Sequence, residues 1–291
     1  EKERIGMATL EEAKTLKDLF ECWKEEQSND SGDETCNSQN GCVVAVNSFY
    51  EDGIVKPKEY QKSKPKVLFI TNEVRIDCKQ DNDEKKHGLK GKCEGGHLIG
   101  NDKGNTVCSF NNYIDGKEQE TWSGKMRIKF GEMYRIITEG ENYKIESPFD
   151  EKANKEALKK IAFMNLNKRG GFGGIQEVTF LNYLKTYKDY IRREIEIINP
   201  DVIVWCGCNT YDQEEYMDAV FDKEVRVGDE KKMIKILKLT IDENRKEIPI
   251  LRMWHPSMKG EGISIKGYLN HFIKVWDEEK VEVEKYVRDS K

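Results

Sequence analysis

Four short runs of almost uninterrupted apolar residues set the tightest limit on what this chain can become. They are Lys66-Val67-Leu68-Phe69-Ile70-Thr71, Ile161-Ala162-Phe163-Met164-Asn165-Leu166, Asp201-Val202-Ile203-Val204-Trp205-Cys206 and Ile248-Pro249-Ile250-Leu251-Arg252-Met253-Trp254. Side chains alternate across a strand, so a strand that is apolar at successive positions has to be covered on both faces. The intervening segments supply the cover: helical signals span 122–138, 148–159, 176–198, a stretch from Asn209 or Thr210 to about Phe221, and 263–286. Asn199-Pro200 ends the third of these, and one more strand is expected at 232–240. Strands alternating with helices predict an α/β fold with a mostly parallel central sheet and helices on both faces.

Two stretches fall outside that alternation. Leu10, Ala13, Leu16, Leu19, Phe20 and Trp23 recur at helical spacing within 8–26, which makes residues 1–63 a helical N-terminal extension packed on the core and 64–291 the α/β domain. From Asp77 to about Gly116 the chain is rich in Gly, Asn, Asp and Lys without a sustained period, so an insertion is expected at about 77–120.

No apolar run approaches the ~20 residues that span a bilayer. With no secretory leader at its start, the chain is expected in the cytoplasm as a monomer without a membrane partner, its eight cysteines being thiols or ligands before disulfides. The net charge of −5 argues against a nucleic-acid partner, but the acidity is concentrated at the ends. Residues 64–275 hold 37 basic and 34 acidic side chains. A basic run from Lys152 through Lys155, Lys159, Lys160, Lys168 and Arg169 can face phosphates or can be a solvated helix face.

In open parallel sheets ligands bind beyond the carboxyl ends of the strands, where the connecting loops diverge. Here those ends read Asn72-Glu73, then Asn165 with Asn167 and Lys168, then Cys206-Gly207, then His255-Pro256-Ser257. Breaking a base–sugar bond calls for a carboxylate or amide that aligns water and supports a positive sugar, and for a donor to the departing base. Glu73 and His255 suit those two tasks.

The ordered trio Thr71-Asn72-Glu73-Val74-Arg75, Met164-Asn165-Leu166-Asn167-Lys168-Arg169 and Trp254-His255-Pro256-Ser257 resembles the uracil-DNA glycosylase superfamily over roughly residues 64–275. In style it is similar to the iron–sulfur branch, in which Gly-Glu-Ala-Pro-Gly opens the site, Thr-Asn-x-x-Lys-Cys-Arg-Pro follows and His-Pro-Ser closes it. The resemblance implies a three-layer sandwich and a DNA glycosylase of base excision repair that flips uracil or another altered base out of DNA. It implies Glu73 or Asn72 as the water-positioning residue, His255 as donor to the base, and Asn165 and Phe110 as base-binding residues. Ser257, Lys168, Arg169 and Arg75 would meet DNA phosphates. Val74 stands where the family has Pro, Arg75 follows where a small residue or Tyr is usual, and Arg169 replaces a cluster cysteine.

Catalysis of this kind needs no cofactor. Cys36, Cys42, Cys78, Cys93 and Cys108, with His97 nearby, have ligand chemistry for a structural zinc or an iron–sulfur cluster, although none has the tight C-x-x-C spacing. Two other readings compete. Gly170-Gly171-Phe172-Gly173-Gly174 between a strand and a helix suits a nucleotide-binding enzyme but lacks the third glycine of G-x-G-x-x-G and the Lys-Ser/Thr of a P-loop. The altered first motif also fits an inactive protein that binds DNA or a partner on the same fold.

Overall fold

The computed structural model describes residues 9–31, 49–75, 106–117, 122–146, 149–171, 177–208, 213–221, 233–241, 244–256 and 264–288. Its strands are β1 (Gly53–Ile54), β2 (Val67–Arg75), β3 (Ile161–Gly171), β4 (Val202–Cys208), β5 (Ile234–Ile241) and β6 (Asn244–Trp254). They form one six-stranded sheet in the order β1-β3-β2-β4-β6-β5. The four inner strands β3, β2, β4 and β6 are mutually parallel, and β1 and β5 close the two edges antiparallel.

The helices are α1 (Leu16–Asn29), α2 (Pro57–Lys62), α3 (Thr106–Ile114), α4 (Trp122–Glu139), α5 (Glu151–Leu158), α6 (Glu177–Thr186), α7 (Lys188–Ile198), α8 (Gln213–Val220) and α9 (Ile265–Arg288). They cover the sheet from both sides, as the apolar runs require. Within β2 the fully buried Leu68 and Ile70 join one core with Phe20 and Trp23 of α1, Phe180 and Tyr183 of α6 and Ile191 and Ile195 of α7. Val67 and Phe69 point the other way, into a second core with Phe130 and Tyr134 of α4, Leu158 of α5 and Leu269 and Phe272 of α9. A mixed, mostly parallel α/β sheet between two helical layers is therefore the fold.

Local chemistry explains several element ends. The α1 helix starts at Leu16, later than the apolar spacing suggests, because Thr15 and Asp18 form a reciprocal capping box. The 176–198 stretch is two helices, interrupted at buried Tyr187, and α7 stops where Asn199 takes a left-handed conformation with φ of 49°. The expected insertion contains α3 near its end, with Phe110 and Tyr113 buried, while residues 76–105 and 118–121 lie outside the described residues. The N-terminal extension also contributes the edge strand β1, which pairs with Ala162 and Phe163. No helix among the described residues is long and apolar enough to cross a membrane.

Candidate functional site

The chain leaves β2 towards β3 on one side of the sheet and leaves β4 towards β6 on the other. The carboxyl ends of the adjacent strands β2 and β4 therefore flank a topological switch point, the place where such sheets open a crevice. Asn72 on β2 is half-buried there. A Cβ built on Gly207 of β4 would lie 2.7 Å from Asn72 Oδ1 and closer still to the Trp205 indole nitrogen, so only glycine lets the two strands bring these groups together. The register confirms the local distortion: Trp205 faces Arg252 and Cys208 faces Trp254, one more residue on β4 than on β6.

Glu73 follows Asn72 on the same strand, aligned with Asn167 of β3, and Arg75 is aligned with Gly171. His255 comes directly after β6, half-buried, on the same edge of the sheet. With β4 between them, the β2 and β6 ends are two strand spacings apart, about 10 Å. Trp254 is 37 % exposed and stacks on His271, ring centroids 4.0 Å apart and 10° from parallel. Burial first, then the charge of Lys274, holds the His271 imidazole below its ordinary pKa, so it backs the indole as a neutral ring.

The second motif takes a different place from the one its sequence suggests. Strands β2 and β3 both run on past the apolar runs, and Asn165 sits inside the sheet, buried, not at a strand end. Thr71 Oγ1 donates to Asn165 Oδ1 at 2.6 Å, and the Asn165 backbone N–H donates to Asp52 at 2.6 Å. Its amide ties β2 to β3 and is closed to a base.

Lys168 and Arg169 are corrected as well. Opposite β2 the register passes from Asn167 straight to Gly170, so these two residues are extra in β3 and bulge from the ladder. Lys168 is wholly buried, its Nζ 2.5 Å from Asp52 and 2.8 Å from Glu194, with the rings of Phe20 and Trp23 over it. Arg169 is buried too, donating to the Gln27 carbonyl at 3.0 Å and pairing with Asp30 at 3.2 Å. Cations spent on internal carboxylates beneath α1 cannot meet DNA phosphates. Burial first, then the charge of Asp52, pushes the Glu194 carboxyl well above its usual range against the opposing pull of Lys168. The cluster thus avoids a second uncompensated anion.

Phe110 is likewise a core residue, 3 % exposed and packed between Phe130 and Phe163 at centroid distances of 6.2 and 5.2 Å. It has no free face for a base. Of the basic run, Lys155 of α5 pairs with Glu151 at 2.7 Å, and Lys159, just after the helix, pairs with Glu156 at 2.5 Å.

Cys36, Cys42, Cys78, Cys93, His97 and Ser257 lie outside the described residues, and Cys108 is placed only as part of α3. Among the described residues no group of three or more His, Cys, Asp or Glu side chains could hold a metal ion. Cys22 and Cys206 are buried free thiols, and burial pushes Cys206 up to about 12.

The sequence reading named Gly207 at a strand end and Trp254 in the third motif but gave neither a role. The signal was present for both: a glycine at the end of a buried strand marks a close backbone approach, and a tryptophan beside a candidate donor histidine is a ring at the site. No protein-family model matches the chain, and no curated protein matches it.

Proposed function

We propose that this protein is a DNA glycosylase that hydrolyses the bond between an altered base, uracil or a modified relative, and its sugar. The observation that supports this most is the pairing of Asn72 and Glu73 at the switch point of β2 and β4 with His255 on the neighbouring parallel strand β6. A sugar held between those ends would have a water-aligning group on one side and a donor to the base on the other, the division of labour glycosidic cleavage needs. The carboxylate of Glu73 is chemically the better base, with Asn72 as the alternative aligner of water.

Trp254 takes the stacking role first given to Phe110, because its ring is exposed beside His255 and braced by His271. Arg75 and Ser257 remain the phosphate contacts of this reading, while Lys168, Arg169, Asn165 and Phe110 leave it. The chain would act as a monomer on DNA within a uracil-DNA glycosylase-like sandwich.

The test is base release from a panel of oligonucleotides, single- and double-stranded, each carrying one altered base, with alkaline cleavage at the abasic site as readout. Cleavage at the altered position of at least one substrate is expected. No release from any member, with the protein folded, overturns the reading.

A further inference from the structure

We infer that Lys129 and Tyr268 are positioning residues that clamp the backbone on either side of His255. Tyr268, fully buried near the start of α9, donates its hydroxyl to the Trp254 carbonyl at 2.8 Å. Lys129, a buried lysine of α4, donates its ammonium to the Pro256 carbonyl and lies over the Tyr268 ring, 4.5 Å from its centroid. The carbonyls before and after His255 are therefore each held by a side chain from a different helix, and the two side chains touch one another.

His255 follows the last residue of β6, and side chains from two helices reach the carbonyls on either side of it. Taking an ammonium out of water costs several kcal/mol unless its protons and charge are met. Here a carbonyl and an aromatic face meet them, in a place where a shorter apolar residue would fill the core without that cost. The helix that presents Lys129 is itself fixed around it: Asn154 Nδ2 donates to the Ile128 carbonyl and to Glu132 Oε1, both at 2.9 Å, and Tyr143 donates to Glu132 at 2.8 Å.

A donor aimed at a developing negative charge loses much of its effect when displaced by an ångström, of order 10²-fold in rate. The clamp would keep His255 in place without touching substrate. This inference rests on the proposed glycosylase reading for its kinetic arm only.

Two variants remove one bond each: Tyr268→Phe keeps the ring, and Lys129→Met keeps most of the volume. Phe130→Leu, in the same core, is the control that weakens packing without touching either carbonyl. The imidazole signals of the four histidines are recorded by NMR, with His255 assigned through His255→Gln. In the clamp variants the His255 signal is expected to shift or broaden, and Phe130→Leu is expected to leave it unchanged. On a substrate that the wild type cleaves, kcat should fall by about 10- to 100-fold with KM retained. An unchanged His255 signal in both clamp variants, or the same change in Phe130→Leu, overturns the inference. Failure of the wild type to release any base would sink the glycosylase reading alone, since the NMR arm decides the clamp by itself.

Discussion

Polar residues follow buried apolar runs at two places in this molecule, and they end in opposite circumstances. Behind β3, Lys168 and Arg169 fold under α1 and are consumed by Asp52, Glu194 and Asp30. On the rim of β2, β4 and β6, Asn72 and His255 are half-buried and Trp254 is exposed. The residue types do not separate the two regions, since Asn-Leu-Asn-Lys-Arg looks as suited to a ligand as His-Pro-Ser. What separates them is the cover: α1 lays Phe20 and Trp23 over the β3 bulge, which turns cations there into structural ones.

If that contrast holds, damage to the closed cluster should appear as lost stability. The largest effect is expected from Lys168→Met, which leaves Asp52 without its buried counter-charge. A loss of about 3–5 kcal/mol in urea unfolding follows from breaking such a pair, and a loss under 1 kcal/mol would mean that the cluster is solvated. Gly207→Ala comes next, because its methyl must push against Asn72. Overpacking of this kind costs about 1–3 kcal/mol. It should also impair the rim, so a thermal shift with unaltered base release would contradict the placement of Asn72 at the site.

The protonation state of Glu194 sharpens the comparison further. Its folded pKa is raised above the ordinary 4.5, so the carboxyl holds its proton more tightly in the folded protein. That stability is fully present below the unfolded value and is lost as pH rises through the folded one. Above about pH 4.5 this group should therefore lower stability with rising pH until its folded pKa is passed. Glu194→Gln, which mimics the protonated form, should flatten that decline in unfolding measurements across the interval. An identical slope in variant and wild type would show that Glu194 is ionised in the fold. The smallest effect belongs to Thr15→Ala, which removes the α1 cap and should cost about 1 kcal/mol, read as a lower melting temperature with the rim unaffected.

The four inner strands were legible because Val67–Ile70 and their counterparts are apolar at successive positions, a pattern that only two-sided burial explains. Their common direction followed from the helices between them, and it is what brings Asn72 and His255 to one edge. The lengths of β2 and β3 were not legible. Both strands continue through polar residues whose hydrogen bonds are made to non-local partners, as when Asn165 meets Thr71 and Asp52, ninety and more residues away. The β3 bulge was invisible for the same reason: its cations are satisfied by Asp52, Glu194 and Asp30, remote in sequence. Phe110 was misplaced because a phenylalanine in the core and one on a base-stacking platform look alike until its neighbours Phe130 and Phe163 are known.

The claim that Glu73 or Asn72 works with His255 on opposite sides of one bond is tested most directly by separating rate from binding in single variants. Single-turnover base release and affinity for the same altered-base oligonucleotide would be measured for His255→Ala, Glu73→Gln and Asn72→Ala. His255→Ala should lose about 10²- to 10³-fold in rate, the usual cost of removing a preorganised donor to a developing oxyanion. DNA affinity should stay near wild type, because phosphate contacts supply most of it. Glu73→Gln should slow release strongly with binding kept; if it alone is silent while Asn72→Ala is slow, Asn72 aligns the water. Base release near the wild-type rate in all three variants would contradict the account.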